Sequence, residues 1–109
     1  MENVSENIRT RMRKGLLEYC ILRILSNKEA YASSIIEALK GAKMIVVEGT
    51  LYPLLIRLKN QQLLSYRWEE STQGPPRKYY MITDKGRDQL AEMDAAWNEL
   101  VESVNHLKQ

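Results

Sequence analysis

The sequence contains few of the residues that form catalytic and metal centres. Its 109 residues include one cysteine, Cys20, and one histidine, His106. A single cysteine excludes an intrachain disulfide and fits a reducing compartment. The apolar neighbours of Cys20 predict that it is a small buried side chain. His106 falls in the last turn of a predicted helix, where its charge would interact favourably with the helix dipole.

Motifs of enzyme chemistry are also missing from the sequence. It has no glycine-rich phosphate loop, no Cys/His spacing typical of a metal site, and no nucleophile beside an evident base. We therefore expect no enzyme activity, no metal site and no cofactor.

Long hydrophobic runs are absent as well. No apolar stretch approaches the roughly 18 residues that a membrane-spanning helix needs. Residues 1–7 lack the basic start and the apolar centre of a secretory signal. A chain of 109 residues is long enough for one domain with a modest core. We therefore expect a cytoplasmic protein of one domain that does not enter the membrane.

The charge of the chain is unevenly distributed. The net charge of +2 combines +5 over residues 1–83 with −3 over residues 84–109. This asymmetry indicates that the first part of the chain meets a polyanion and the C-terminal part does not.

An amphipathic helix is predicted over residues 49–62. Leu51, Leu54, Leu55 and Leu58 recur at the i, i+3, i+4, i+7 spacing of one helix face. Because proline lacks an amide hydrogen, Pro53 must lie near the start of the helix, with Thr50 as a possible N-cap. The opposite face carries Thr50, Tyr52, Pro53, Ile56, Arg57, Lys59 and Asn60. Such a face can be merely solvated, but its hydroxyl, amide and cationic groups suit a DNA groove.

Two helices are predicted before this one, over residues 6–26 and 31–40, with Gly41 as the C-terminal cap of the second. Residues 44–47 form a β-branched connector that could be a strand. The start of the first helix carries the basic residues Arg9, Arg11, Arg13 and Lys14. They could contact DNA phosphates, or they could form a solvated turn. Near the start of the second helix, Tyr31, Ser33 and Ser34 could hold a phosphate, although Ser33 could also be only a helix cap.

Two strand-like segments, residues 64–70 and 78–83, follow the 49–62 helix. In the first segment apolar and polar residues alternate, with Leu64, Tyr66 and Trp68 on one face. Residues 71–77 are too many for a two-residue turn and are predicted to project as a loop stiffened by two prolines. Gln73, Arg77 and Lys78 give this loop groups for phosphate or minor-groove contact. The residues predicted to contact DNA are Tyr31, Ser33, Ser34, Thr50, Tyr52, Pro53, Arg57, Lys59, Gln73, Arg77 and Lys78.

The last helix begins after Thr83, its predicted N-cap, and carries an apolar seam. Leu90, Met93, Trp97, Leu100, Val104 and Leu107 follow one another at spacings of 3, 4, 3, 4 and 3. This spacing is typical of a coiled-coil seam and predicts packing against a second copy of the chain. Packing on the chain's own first helix is the alternative, and both kinds of packing can be present at the same time. The predicted dimer interface comprises Leu90, Met93, Trp97, Leu100, Val101, Val104 and Leu107.

Trp97 is wide for a tight two-helix seam and could hold two copies of this helix apart. The resulting gap could bind a planar aromatic effector, and Asp94 at its edge would favour a cationic one. Trp97 could equally be a dimer-core anchor with no cavity beside it. The predicted effector-binding residues are Met12, Leu16, Met93, Asp94, Trp97 and Leu100.

Several of these segments together resemble one family. The matching motifs are residues 48–55 (EGTLYPLL), 66–70 (YRWEE), 74–80 (GPPRKYY) and 83–86 (TDKG). They are similar to the PadR family of bacterial transcriptional regulators, and the similarity extends over residues 14–107. The resemblance implies a mainly α-helical fold with a small β-hairpin. That fold is a winged helix-turn-helix over residues 1–83 with a long C-terminal dimerisation helix over residues 84–109.

The resemblance also implies roles for three parts of the chain. The 49–62 helix would be the recognition helix, and residues 72–78 would be the tip of the wing. The short length matches a subclass with one C-terminal helix that includes multidrug-responsive repressors, and Trp97 matches the tryptophan of its drug-binding pore.

Two residues depart from the family pattern. Gln62 replaces a glycine, so either the helix continues or Gln62 is strained. Asp94 replaces an apolar or aromatic pore residue.

The predicted function is that of a dimeric DNA-binding regulator. We expect a repressor that binds an inverted-repeat operator in double-stranded DNA and is released by a small hydrophobic or aromatic effector. The alternative is a winged-helix module that binds proteins and not DNA.

Overall fold

A leucine-rich core joins the helices of this protein to a small sheet. The computed structural model describes the backbone of residues 4–109 and the side chains of residues 8–109. The first residues, on which the expectation about a secretory signal rests, lie largely outside this range. The elements are α1 Val4–Arg13, α2 Leu17–Asn27, β1 Ala30–Tyr31, α3 Ala32–Gly41, α4 Glu48–Asn60, β2 Leu64–Ser71, β3 Gly74–Ile82 and α5 Asp84–Leu107. The three strands form an antiparallel sheet in the order β1-β3-β2. The predicted fold class is confirmed.

The core is formed by one face each of α2, α3 and α4. The three faces meet one another and the start of β2. The largest fully buried side chains of this core are Ile21, Leu22, Leu25, Ile35, Leu39, Leu51, Leu55, Leu58 and Leu64. Leu54 is partly buried beside them, so the predicted leucine face of α4 faces the core. Cys20, predicted to be buried, is only half-buried in α2, and this burial raises the pKa of its thiol.

The first predicted helix is in fact two helices. Residues 14–16 form a turn between α1 and α2, in which the Leu16 amide donates to the Arg13 carbonyl at 2.8 Å. Gly15 lies in this turn, and glycine has the lowest helix propensity of any residue except proline. The apolar periodicity continues across the turn, which is why it did not indicate the interruption.

Residues 44–47 form the predicted connector, without the strand that the sequence left open. The short strand β1 lies before α3 instead and pairs with Tyr79 and Tyr80. One further detail differs from the prediction. Thr50 is not the N-cap of α4, because its amide already donates to the Val47 carbonyl at 3.0 Å inside the helix. The helix begins at Glu48 and places Pro53 in its second turn.

The predicted seven-residue loop is a tight hairpin. β2 and β3 are joined by Thr72 and Gln73 alone, and Pro75 and Pro76 lie within β3. Glu69 pairs with Arg77 and Ser71 pairs with Gly74, so Glu70 faces both prolines in a β-bulge. The sheet tolerates the prolines there because β1 reaches only Tyr79 and Tyr80, and this part of β3 has a single neighbour.

The end of α4 is joined closely to the start of α5. Thr83 is the N-cap of α5, as predicted: its hydroxyl accepts a bond of 2.9 Å from the Gly86 amide. The same hydroxyl donates to the Gln62 carbonyl at 2.7 Å. Gln62 has a φ of 65°, so of the two predicted alternatives the strained conformation is correct. A Cβ atom on Gly86 would lie 2.2 Å from the Leu63 carbonyl oxygen, so only glycine fits there.

Candidate nucleic-acid interface

The outer surface of α4 has a ridge and two flanks. Because a helix turns about 100° per residue, the side opposite the buried leucines carries Gly49, Pro53, Ile56 and Asn60. Tyr52 and Lys59 lie on the flank toward the hairpin, and Thr50 and Arg57 lie on the flank toward α2. All eight residues of the ridge and flanks are exposed. The helix therefore presents a continuous surface, free of carboxylates after Glu48, that can enter a groove.

A groove of about 300 Å³ runs between α4 and the β2–β3 hairpin. We call it the wing groove. The residues that line it are Tyr31, Ala32, Ser33, Tyr52, Ile56, Trp68, Pro76, Arg77, Lys78 and Tyr80. It brings together five of the predicted DNA-contacting residues: Tyr31, Ser33, Tyr52, Arg77 and Lys78. None of its lining residues carries a carboxylate, so the groove is cationic.

Arg77 is held at one edge of the wing groove. Its Nη2 atom donates a hydrogen bond of 2.6 Å to the Ser33 hydroxyl. Its guanidinium carbon lies 4.0 Å from the centroid of the Tyr31 ring, a cation–π distance. These contacts fix the position of a positive charge beside the start of α3.

Lys78 and Lys59 flank the aromatic face of the hairpin. The Lys78 ammonium lies 4.5 Å from the centroid of the Tyr66 ring and 5.6 Å from that of the Trp68 ring. The Lys59 ammonium lies 5.9 Å from the Tyr66 centroid. Both lysines are thus held near the groove by aromatic rings.

The α2 flank of α4 borders a second groove. Thr50, Pro53 and Arg57 line it together with Lys14 from the turn before α2. Arg57 is 3.3 Å from Glu18 and forms an ion pair with it, so its charge is partly neutralised. Arg11 and Arg13 lie in the last turn of α1, where the helix dipole also favours them. Phosphate contact by this basic cluster stays a prediction.

Three predicted DNA-contacting residues line neither of these two grooves: Ser34, Gln73 and Lys59, which lies beside Tyr66. Ser34 is exposed near the start of α3, and Gln73 lies in the hairpin turn. Five residues that line the wing groove are outside the predicted set, and two of them, Ile56 and Trp68, are large and exposed. Trp68 was missed because its alternation with Leu64 and Tyr66 predicts burial, whereas the strand runs past the edge of the core.

The predicted dimer seam is largely exposed on α5. Its exposed apolar members are Trp97, Leu100, Val101, Val104 and Leu107. Leu90 has to be removed from the predicted interface, because it is only 5% exposed and belongs to the chain's own core. Met93 is half-buried against that core. On α1, Met12 is exposed.

Asp94 is bound within its own chain. The Tyr19 hydroxyl and the Arg23 Nη2 atom each donate to the same Asp94 oxygen at 2.5 Å. The hydrogen bond from Tyr19, and then that from Arg23, lower the pKa of the Asp94 carboxyl below its ordinary value. Because Arg23 neutralises this carboxylate, the predicted preference for a cationic effector loses its basis. The Tyr19 and Trp97 rings lie 6.4 Å apart, so Tyr19 is a neighbour of the predicted effector site that the sequence did not indicate.

Within residues 4–109, no helix is both long and apolar enough to cross a bilayer.

Comparison with known proteins identifies relatives over almost the whole chain. The transcriptional regulator PadR-like family matches residues 21–92, from α2 into α5. A PadR-like transcription factor from Bacteroides fragilis is 63% identical, with a TM-score of 0.79 over 93% of this chain and 98% of that chain. A PadR-like transcriptional regulator from Bacillus cereus is 42% identical, with a TM-score of 0.79 over 91% and 97% of the two chains.

A PadR family transcriptional regulator from Eggerthella lenta has a TM-score of 0.89 at 32% identity, covering 97% of this chain and 93% of that chain. The family resemblance read from the motifs is therefore confirmed, while the short multidrug-responsive subclass stays a prediction. The chain belongs to the PadR-like family of transcriptional regulators.

Proposed function

We propose that this regulator is a homodimeric repressor that binds an inverted-repeat operator and is released by a small aromatic effector. Residues 1–83 would form the DNA-binding unit, and residues 84–109 the dimerisation helix. The observation that carries the proposal is the exposed apolar seam of α5. Trp97, Leu100, Val104 and Leu107 line one side of the helix and are all exposed in the single chain.

A second copy of the chain is the partner that this seam fits. The spacing of the apolar residues matches that of a coiled-coil interface, and a two-fold axis lets one surface pair with itself. Ile8 and Met12 of α1 expose further apolar surface. Leu90 takes no part in the proposed interface, since it is already buried.

The DNA contacts divide between base edges and phosphates. Thr50 and Tyr52, near the start of α4, would reach base edges in the major groove. Lys59, Arg77 and Lys78 would contact phosphates, which position the protein without reading sequence. A two-fold dimer would place two copies of α4 in successive major grooves, about 34 Å apart along the DNA.

The effector would bind beside Trp97 at the dimer axis. Met12, Leu16, Met93 and Leu100 would supply its apolar walls, with Tyr19 as an additional aromatic neighbour. We expect planar compounds there, and no preference for a positive charge, because Asp94 is paired with Arg23. The dimer would have one conformation that binds DNA and one that does not. An effector relieves repression only to the extent that it binds the second conformation more tightly than the first.

A gel shift with the DNA upstream of the protein's own coding sequence tests the proposal. We expect one specific complex that contains two protomers, with footprints on both halves of an inverted repeat. Planar aromatic compounds should release the complex and quench Trp97, with a Trp97→Ala variant as control because Trp68 also emits. A single protomer per operator would contradict the dimer, and release without any effect on Trp97 would contradict the effector site.

A further inference from the structure

Three large apolar side chains that line the wing groove are exposed to water. Trp68 is 61% exposed, Ile56 57% and Tyr52 44%, and all three line this groove. Trp68 is the third member of a row on the hairpin that begins with the buried Leu64 and continues with the half-buried Tyr66. It is the first member that lies beyond the core. An indole in this position leaves a large apolar surface in water. A partner that covers this surface would gain the free energy of removing it from water.

The charges around these apolar side chains restrict what the partner can be. Arg77 and Lys78 stand in the walls of the groove, and none of the lining residues is acidic. The ligand that fits is therefore a chain with alternating apolar and anionic groups. The backbone of DNA is such a chain, since each deoxyribose presents carbon and hydrogen atoms between two phosphates.

The position of the groove on the recognition surface agrees with this ligand. It borders the flank of α4 that carries Tyr52, and not the far side of the protein. When the ridge of α4 lies between the two DNA strands, the flank faces one strand of the backbone. Arg77 is already held by Ser33 and Tyr31, so its charge needs little reordering to meet a phosphate.

We propose that the wing groove binds one strand of the DNA backbone, with Trp68 packed against a deoxyribose and Arg77 and Lys78 on the adjacent phosphates. This inference rests on the proposed function and adds to it a contact that is not ionic. Burial of the indole depends neither on the base sequence nor on the release of counterions. Trp68 is therefore a contact that strengthens binding to every duplex alike and at every salt concentration.

The test compares Trp68→Ala with Lys78→Ala, a matched loss of a charge in the same groove. Two dye-labelled duplexes of equal length serve as probes: one enriched from a randomised pool by the wild-type protein, and one with its sequence scrambled. Binding is followed by fluorescence anisotropy over a series of salt concentrations. Trp68→Ala should weaken binding to both duplexes roughly tenfold with an unchanged salt slope, as expected for a large aromatic contact. Lys78→Ala should reduce the slope by about one.

A second measurement observes the indole directly. Trp68 and Trp97 are the two tryptophans, so the difference in emission between the wild type and Trp68→Phe isolates Trp68. Adding either duplex should change its emission. Trp68→Phe should keep most of the affinity, because a ring still packs on the sugar. Thermal unfolding of each variant establishes that the fold is kept, as the exposure of Trp68 leads us to expect.

Three results would overturn the inference while leaving the proposed function intact. The first is wild-type affinity in a folded Trp68→Ala variant. The second is a loss confined to the enriched duplex, which would make Trp68 a reader of bases. The third is a reduced salt slope in Trp68→Ala, which would mean that the indole acts only by holding Lys78. Failure of the wild-type protein to bind either duplex would instead overturn the proposed function itself.

Discussion

Two long polar side chains occupy the left-handed positions at which α3 and α4 end. Lys43 has a φ of 63° and Gln62 a φ of 65°. After α4, the Gln62 amide donates to the Lys59 carbonyl and the Leu63 amide to the Leu58 carbonyl, which is the pairing of a Schellman motif. Glycine is the usual residue at this position, because a Cβ atom is disfavoured in the left-handed region.

Replacing Gln62 by glycine should therefore stabilise the protein. We expect Gln62→Gly to raise the free energy of unfolding in urea by about 1 kcal/mol, because the backbone strain is removed. Gln61→Gly is the control, since Gln61 has a φ of −82° and gains nothing from glycine. That variant should lose roughly 0.5 kcal/mol through the added freedom of the unfolded chain. If both variants lose stability, Gln62 is not strained.

The Asp94 carboxylate makes the contact between α2 and α5 sensitive to acid. Its pKa is lowered in the folded protein, first by the hydrogen bond from Tyr19 and then by Arg23. The unfolded chain therefore takes up the proton first as the pH falls. The stabilisation is complete above the ordinary carboxyl pKa of about 3.9 and is lost as the pH falls through the lowered value.

The measurement compares unfolding of the wild type and Asp94→Asn between pH 7 and pH 2. We expect the wild type to be more stable at neutral pH and the difference to shrink on acidification. Tyr19→Phe should give an intermediate result, because it removes the largest cause of the lowered pKa and leaves Arg23 in place. A difference between wild type and Asp94→Asn that is constant with pH would contradict this assignment.

At the scale of the elements, the hairpin illustrates why sequence patterns reach some features and miss others. The last three helices and the Thr83 cap were predictable because apolar periodicity and hydroxyl caps depend on neighbours in sequence, whereas the break at residues 14–16 was not. The two-residue turn was not, because Pro75 and Pro76 are tolerated in β3 only where β1 has ended. Leu90 likewise fits the seam by spacing, but tertiary packing assigns it to the core. Local patterns do not contain these long-range contacts.

The two arginines of the hairpin should differ in their effect on DNA binding. Arg67 is 2.9 Å from Glu29 and 2.7 Å from Glu69, so two carboxylates neutralise it. Arg77 contacts a neutral hydroxyl and an aromatic ring, so its charge remains available. Arg77→Ala should weaken binding and reduce the salt slope by about one, whereas Arg67→Ala should leave the slope unchanged. Equal slopes for the two variants would remove Arg77 from the phosphate contacts.

At the scale of the whole molecule, we expect the exposed seam of α5 to govern the proposed dimerisation. Leu100→Lys together with Val104→Lys would bury ammonium groups facing their own symmetry mates, at a cost that apolar burial cannot offset. We expect this variant to be monomeric at micromolar concentration in sedimentation equilibrium and to lose operator binding. Ala95→Lys, on the exposed opposite side of α5, should stay dimeric. A dimeric seam variant, or a monomeric wild type, would exclude this interface.

The close join between α4 and α5 has a mechanical consequence. Thr83 ties the two helices by hydrogen bonds to Gln62 and Leu63, and no side chain fits between them at Gly86. The 24 residues of α5 therefore form a lever about 36 Å long whose pivot is fixed to the end of α4. If α5 tilts by only 5°, its far end moves by about 3 Å over that length. In the proposed dimer, a ligand that changes the tilt of α5 by a few degrees would therefore turn α4, the proposed recognition helix, by the same angle.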